Sequence, residues 1–225
     1  MEIKLLHITP NAETLIEEAG RTCYNSFASF DPPKSTEVFI RNLISRGHFS
    51  VLEHAIASFR LAGVSRVLTH ELVRQRLSSF SQMSQRYVKY GSGERETEFR
   101  CVVPPTIADN DTVTALTSQG APMTVTQVFS AAADFCRIAY EALVKAGVPP
   151  EDARYLLPGG SVTEIVITAN LRQWRHILEL RCSPRAAAEI RSAMISILQC
   201  LQQHCPNVFC DFVIDVDRNC ATRSK

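Results

Sequence analysis

The sequence has almost no net charge, because 24 lysine and arginine residues are balanced by 23 acids, which leaves a formal charge of +1 at pH 7. A chain without a global positive charge is not drawn over its whole surface to nucleic acid or to an anionic membrane. The sequence also lacks an apolar run of about 18 residues, the length that a membrane-spanning helix needs. We therefore expect no membrane association and no general nucleic-acid binding.

The N-terminal segment 1–10 lacks the apolar core and the small-residue cleavage site of a signal peptide. Eight cysteines in a chain without a secretion signal are expected to stay reduced. The sequence therefore predicts a cytoplasmic protein with free thiols.

The cysteines also lack the Cys-x-x-Cys pairs that are typical of structural zinc sites. A cluster near the C-terminus still suggests a zinc hypothesis, but reduced and partly buried thiols explain it as well. We predict no metal site and leave the role of these residues open. The cluster consists of Cys200, His204, Cys205, Cys210 and Cys220.

The composition, with 45% apolar and 21% charged residues in a chain of 225, is typical of a soluble globular protein. Strand-like segments such as Glu2–Ile8 and Thr163–Ala169 are interspersed with helix-like segments. We predict one α+β domain over 1–225, with a mostly antiparallel sheet flanked by helices. Residues 91–123 are predicted to form an irregular surface excursion.

Against this neutral background, Arg74–Tyr87 contains three arginines, four serines and no acid. Arginine makes two-point contacts with phosphate or carboxylate groups, and serine hydroxyls donate to the same anion without adding bulk. Residues 54–92 as a whole carry six basic side chains and a single acid, Glu71. The stretch therefore predicts a site for a phosphorylated or otherwise anionic small ligand.

The local pattern around this stretch predicts a helix that begins after Ser65 and runs to about Leu77. Ser78–Gln82 is poor in helix formers and is predicted to be a loop, followed by a strand near Ser84–Val88.

A later helix is predicted over Leu171–Arg181. Arg172 and His176 are four residues apart and would share one face, whereas Arg181 would lie on the opposite side. Arg154, at a predicted helix start, is electrostatically unfavourable there, which favours a ligand over a plain surface role.

The segment His48–His54 is dense in polar side chains and precedes an apolar strand. A helix end with a capping residue accounts for it when it is taken alone.

Together these motifs resemble the flavin-dependent thymidylate synthases, whose signature is Arg-His-Arg, seven residues and a serine, usually continuing to Arg-Tyr. This sequence has Arg74-Gln75-Arg76, seven residues, Ser84 and then Arg86-Tyr87. The other matching motifs stand in the family order, and the resemblance extends from about residue 21 to about residue 212. They are His48–His54, Arg154–Pro158, Asn170–Arg172 and Leu180–Arg181.

The resemblance implies a methyltransferase that converts dUMP to dTMP by reductive methylation. Methylenetetrahydrofolate would be the carbon donor and NADPH-reduced FAD the reductant. It also implies a homotetramer whose active sites lie at subunit interfaces.

The resemblance implies site residues as well. FAD would be bound by Ser50, Arg74, Gln75, Arg76, Gln82, Asn170, Leu171, Arg172 and His176. dUMP would be bound by Glu71, Leu72, Val73, Arg74, Gln82, Met83, Ser84, Gln85, Arg86, Arg154 and Arg181. Arg181 would be the catalytic residue that stabilises negative charge developing in the pyrimidine.

Two residues depart from the family pattern. Gln75 replaces the usual histidine and removes a group that titrates near neutral pH. Glu71 stands where some relatives have glutamine, and it could pair with an arginine or contact dUMP through its backbone alone. Neither Ser84, which has no adjacent base, nor Cys182 is expected to act as a nucleophile.

Two other function classes compete with this interpretation. One is a non-catalytic flavin- or nucleotide-binding protein that has kept the pockets and lost the chemistry. The other is a nucleic-acid-binding module, which the near-neutral charge and the few aromatic residues near the arginines disfavour.

Overall fold

The computed structural model describes residues 1–91, 96–107, 112–114 and 122–224. Together they form an α+β fold, which confirms the predicted class. The helices are α1 (Ala12–Thr22), α2 (Thr36–Ser45), α3 (Arg66–Leu72), α4 (Val125–Lys145), α5 (Pro150–Ala153), α6 (Leu171–Arg181) and α7 (Ala188–His204). The strands are β1 (Glu2–Ile8), β2 (Ile56–Ser65), β3 (Ser78–Gln82), β4 (Lys89–Tyr90), β5 (Glu96–Thr97), β6 (Thr112–Thr114), β7 (Pro122–Thr124), β8 (Val162–Asn170), β9 (Phe212–Asp215) and β10 (Cys220–Arg223).

The main sheet has four strands in the order β1-β2-β8-β3. β1 and β2 are antiparallel, and their register runs from Glu2 opposite Ala62 to Ile8 opposite Ala57, with an irregularity between Leu5 and His7. Burial alternates along β8, as expected for a strand with one face in the core.

The described chain groups into two compact units. The first consists of Met1–Ala62, Glu71–Ser81 and Ile165–Lys225, and the second of Gly63–His70 and Gln82–Glu164. The single domain that we expected over 1–225 stays a prediction.

The core of the first unit is centred on a sheet–helix contact. The rings of Phe59 and Trp174 pack edge to face with centroids 5.2 Å apart, and both side chains are fully buried. Trp174 Nε1 donates to the carbonyl of Ala57 at 3.0 Å, which satisfies the one polar atom of the indole. The contact fixes α6 against β2.

The core of the second unit is formed by Tyr90, Tyr140 and Ala153, with Phe99 packed against it. α4 begins with a capping box in which the Thr124 side chain and the Gln127 side chain each bond to the other residue's backbone.

The structure corrects three local predictions. α3 starts as expected, with Ser65 Oγ accepting from Leu68 N at 3.0 Å, but it ends at Leu72 instead of near Leu77. The predicted loop Ser78–Gln82 is strand β3, because pairing at the edge of a sheet outweighs weak local propensity. The predicted strand Ser84–Val88 is a turn in which the carbonyl of Ser84 accepts from Val88 N at 2.9 Å.

The predicted irregular excursion at 91–123 is described only in part. Its described residues include β5, β6 and β7, where β6 and β7 form an antiparallel pair. Residues 92–95, 108–111 and 115–121 lie outside the described residues. Within the described parts of the chain, no helix is long and apolar enough to cross a membrane.

Candidate functional site

The first unit contains a cavity of about 410 Å³ beside the start of α6. Asn170 positions this end of the helix, because its side-chain oxygen accepts from Gln173 N at 2.8 Å and so caps the first turn. The backbone N–H of Leu171 donates to Ala55 O at 2.9 Å. The residues that line the cavity are Phe49, Glu53, Leu77, Asn170, Arg172, Gln173, Arg175, His176, Glu179 and Arg223.

Three predicted flavin residues, Asn170, Arg172 and His176, meet at this cavity. Arg172 Nη1 lies 2.6 Å from Glu53 Oε1, and both side chains are about half exposed. The 3₁₀ helix Ser50–His54 supplies Glu53, whereas the exposed Ser50 is not among the lining residues.

Arg175 lines this cavity and is almost fully buried. Its guanidinium makes two bonds of 2.7 Å to the carboxylate of Asp211 and one to the carbonyl of Val208. It also lies over the rings of Phe49 and Phe212, 5.0 and 5.2 Å from their centroids. Sequence reasoning missed this network. Arg175 could have been noticed because it stands among the apolar residues of α6.

The pKa of Asp211 reflects this network. Burial alone would raise the pKa, but hydrogen bonds and charge from Arg175 and then from Arg223 outweigh it and hold the pKa below its usual range.

The signature tripeptide alternates between surface and core. Arg74 and Arg76 are exposed, and among the described residues neither guanidinium has a hydrogen-bond or ion-pair partner. Gln75 between them is only 6% exposed. The next residue, Leu77, is 82% exposed and has a left-handed backbone with φ of 62°. The segment thus directs two unpaired cations to the surface.

Arg181 and Glu71 form an ion pair within the first unit. Arg181 Nη1 lies 2.9 Å from Glu71 Oε2, and Nη2 is 3.5 Å from the backbone oxygen of Glu71. The possibility that Glu71 pairs with an arginine is therefore realised. Of the neighbouring predicted dUMP residues, Leu72 is fully buried and Val73 is 39% exposed.

Leu171 is also fully buried. The side chains of Leu72 and Leu171 are therefore not accessible to a ligand, and each residue could contribute only backbone atoms.

In the second unit, α3 holds the start of the Gln82–Arg86 segment. Gln82 Nε2 donates to Thr69 Oγ1 at 2.8 Å, and Arg66 Nη2 donates to Met83 O at 2.7 Å. Burial lowers the pKa of Arg66, and the charge of Arg154 adds to that effect against an opposing contribution from Tyr90. Sequence reasoning assigned no role at the site to Arg66 or Thr69.

The turn that follows is fixed by local hydrogen bonds. The Ser84 hydroxyl accepts from Arg86 N at 3.2 Å. Gln85 Nε2 donates to the hydroxyl of Tyr90 at 3.3 Å, and that hydroxyl donates to Val162 O at 3.1 Å.

Arg86 and Arg154 meet at Glu151. Glu151 Oε2 accepts from Arg86 Nε at 3.0 Å and lies 2.9 Å from Nη2. Arg154 Nε donates to the backbone oxygen of Glu151 at 3.0 Å. Arg86 alone is bonded to the carboxylate, and Arg154 is held beside it by the backbone of the same residue, so an anion could compete with the Glu151 carboxylate for Arg86.

Cys182 is not an activated nucleophile. All eight cysteines are free, and burial, with a smaller contribution from Cys220, raises the pKa of Cys182 to about 12. Across the described residues no group of His, Cys, Asp or Glu side chains is arranged to hold a metal ion.

Comparison with known proteins gives a consistent result. A family described as "Thymidylate synthase complementing protein" matches residues 4–207. The flavin-dependent thymidylate synthase of Geobacter sulfurreducens is 38% identical over 216 residues, which cover 94% of this chain and 86% of the relative. Those of Mycobacterium avium and Mycolicibacterium gilvum are 38% and 39% identical, each covering 89% of this chain and 79% of the relative.

Proposed function

Because the chain belongs to the family of flavin-dependent thymidylate synthases, it forms dTMP in a flavin-dependent reaction, and we propose which of its residues do this work. The family's reaction is the reductive methylation of dUMP. Methylenetetrahydrofolate gives the carbon, and NADPH is the reductant. The observation that carries the residue assignments is the pair of exposed, unpartnered arginines in the signature, Arg74 and Arg76.

The residues of the first unit fit FAD. Arg74 and Arg76 have no partner in the described chain, so their guanidinium groups are available to the diphosphate of a dinucleotide. Asn170, Arg172 and His176 would hold the same cofactor from the wall of the cavity. When bound, FAD would supply the redox chemistry of the reaction, which links NADPH to the reduction of the one-carbon unit.

The remaining flavin contacts would come from Ser50, Gln82 and the backbones of Gln75 and Leu171. The buried position of Gln75 favours a packing role over proton transfer.

The nucleotide phosphate would be held by Ser84, Arg86 and Arg154. Arg86 and Arg154 converge on Glu151, and the phosphate of dUMP would replace the carboxylate as the partner of Arg86. Met83 and Gln85 would contribute from the same segment.

Arg181 would stabilise the negative charge that develops in the pyrimidine when C5 attacks the one-carbon unit. Glu71 orients its guanidinium through the 2.9 Å contact. A thiolate at Cys182 is not needed, and its raised pKa disfavours it.

We also propose that the protein is a homotetramer with shared active sites. The surface of α4 supports self-association, because Tyr140 is its only buried residue, while Phe135 and Ile138 are 73% and 55% exposed. Apolar surface of this kind is commonly covered by another subunit. Replacing Phe135 and Ile138 by glutamate should lower the mass measured by light scattering.

We further propose that the protein is cytoplasmic, because its eight free thiols suit a reducing compartment.

The decisive experiment is the visible spectrum of the purified protein during titration with FAD and then with dUMP. Stoichiometric FAD binding and a spectral shift on adding dUMP are expected. Arg74→Ala and Arg172→Ala should weaken FAD binding, whereas Arg46→Ala, at an exposed position on the end of α2, should not.

Absence of flavin binding under all conditions would overturn the assignment. Binding of both ligands without dTMP formation from methylenetetrahydrofolate and NADPH would instead indicate a non-catalytic flavin- and nucleotide-binding protein.

A further inference from the structure

The side chain of Gln82 is oriented by a short series of hydrogen bonds that begins on α3. Thr69 Oγ1 donates to the backbone oxygen of Arg66 at 3.1 Å, and Gln82 Nε2 donates to Thr69 Oγ1 at 2.8 Å. A hydroxyl has a single proton, and that of Thr69 is used on Arg66, so only a lone pair faces Gln82. Thr69 therefore requires the NH₂ group of Gln82 on its own side and leaves the carbonyl oxygen Oε1 facing away.

Burial of Thr69 and the backbone bonds of Met83 hold the Gln82 side chain in this orientation. Thr69 is 2% exposed, so water does not compete for its hydroxyl. The next residue is fixed on both sides, because Met83 O accepts from Arg66 at 2.7 Å and Met83 N donates to Glu164 O at 3.0 Å. Within the described residues, no donor is bonded to Gln82 Oε1.

We propose that this relay makes Gln82 Oε1 a fixed acceptor for the imide N–H of a bound pyrimidine-dione ring, and that Thr69 is the positioning residue that selects such rings. The inference rests on the flavin and nucleotide sites proposed above. Uracil and the flavin ring both carry an N–H between two carbonyls. Cytosine carries a bare nitrogen at the equivalent position, and two facing acceptors repel, so the site rejects it.

The test compares Thr69→Val, which keeps the shape but removes the hydroxyl, with Thr69→Ser, which keeps the hydroxyl. Calorimetry on the FAD-loaded protein gives Kd for dUMP and for dCMP, and a separate titration gives Kd for FAD. If the ring is uracil, Thr69→Val should lower the preference for dUMP over dCMP about tenfold, because the amide is free to turn. If the ring is the flavin, Thr69→Val should weaken FAD about tenfold and leave that preference unchanged. Thr69→Ser should match the parent protein in both cases.

Gln82→Leu provides a second test that does not alter the buried threonine. It removes the proposed acceptor and keeps roughly the size of the side chain, so the quantity that Thr69→Val lowers, either the preference for dUMP over dCMP or the affinity for FAD, should also fall. The dUMP-to-dCMP ratio cancels any general loss of nucleotide affinity.

Equal behaviour of Thr69→Val and Thr69→Ser, whether both unchanged or both impaired, would overturn the proposal, as would an unchanged preference together with an unchanged FAD affinity in Gln82→Leu. If the parent protein bound neither FAD nor dUMP, the proposed function itself would fail, which is a distinct outcome.

Discussion

Arg181 and Glu71 are joined through Arg181 Nη1 and Glu71 Oε2, which lie 2.9 Å apart, with 23% and 32% of the two side chains exposed. The Nε atom of Arg181 is buried and has no hydrogen-bond partner among the described residues. One side of the guanidinium is thus held by the protein, while the exposed part of the side chain remains open to a substrate. This is the geometry expected of a cation that is positioned before a substrate arrives.

We predict that Arg181→Ala lowers kcat by about 10²- to 10³-fold, as is typical when one stabilising donor is removed from a developing anion. Glu71→Gln keeps an acceptor for Arg181 and should change kcat by no more than about threefold. Single-turnover formation of dTMP measures both effects. Arg185→Ala, at an exposed position after α6, is the control, and an unchanged kcat in Arg181→Ala would remove the catalytic assignment.

Replacing Glu151 is expected to strengthen dUMP binding, in contrast to the loss of activity expected from replacing Arg181. The Glu151 carboxylate is bonded to the guanidinium of Arg86, so it would compete with the phosphate of dUMP for the same donors. Glu151→Gln should therefore lower the KM for dUMP several-fold with little change in kcat, whereas Arg86→Ala should raise it by about tenfold or more. The control is Asp152→Asn, the neighbouring exposed acid. A raised KM in Glu151→Gln would show that the ion pair supports the site instead of competing with it.

The sequence predicted the bounds of α6, Leu171–Arg181, to the residue, because its apolar side chains follow a helical period. It also predicted that Arg172 and His176 share a face, and both line the cavity. The arginine–serine stretch was identified from charge alone, without knowledge of its conformation.

Two aspects of the site could not be read from the sequence. β3 was mistaken for a loop because its residues Ser78–Gln82 form a strand through pairing in the sheet, a non-local effect. Arg175 is bonded to Asp211 and Val208, which lie more than thirty residues away in the chain. No spacing pattern in the sequence encodes such a contact.

The cysteines allow the absence of thiolate catalysis to be tested. Burial raises the pKa of Cys182 to about 12, and its side chain is fully buried, so it should react with neither substrate nor alkylating reagent. At pH 8, iodoacetamide should modify the exposed Cys23 before Cys182, as measured by peptide mass spectrometry. Cys182→Ala should retain turnover. Loss of turnover in a variant that keeps the parent melting temperature and FAD affinity would revive the nucleophile hypothesis.

The pair formed by Asp211 and Arg175 predicts a pH dependence of stability. The pKa of Asp211 is held below its usual range, against the effect of burial, by Arg175 and Arg223. A carboxyl group whose pKa is lowered by folding stabilises the protein above its unfolded pKa of about 3.9 and loses that contribution as pH falls through the folded value. At pH 7, Asp211→Asn should lower the free energy of unfolding by on the order of 3 kcal/mol, because it leaves the charge of the buried Arg175 without its carboxylate.

The difference in Tm between the parent protein and Asp211→Asn should shrink steadily below about pH 4. The control is Asp217→Asn, at an exposed position, which should show no such difference at any pH. A Tm difference for Asp211→Asn that stayed constant down to pH 2 would mean that packing, and not the ionised pair, accounts for the loss.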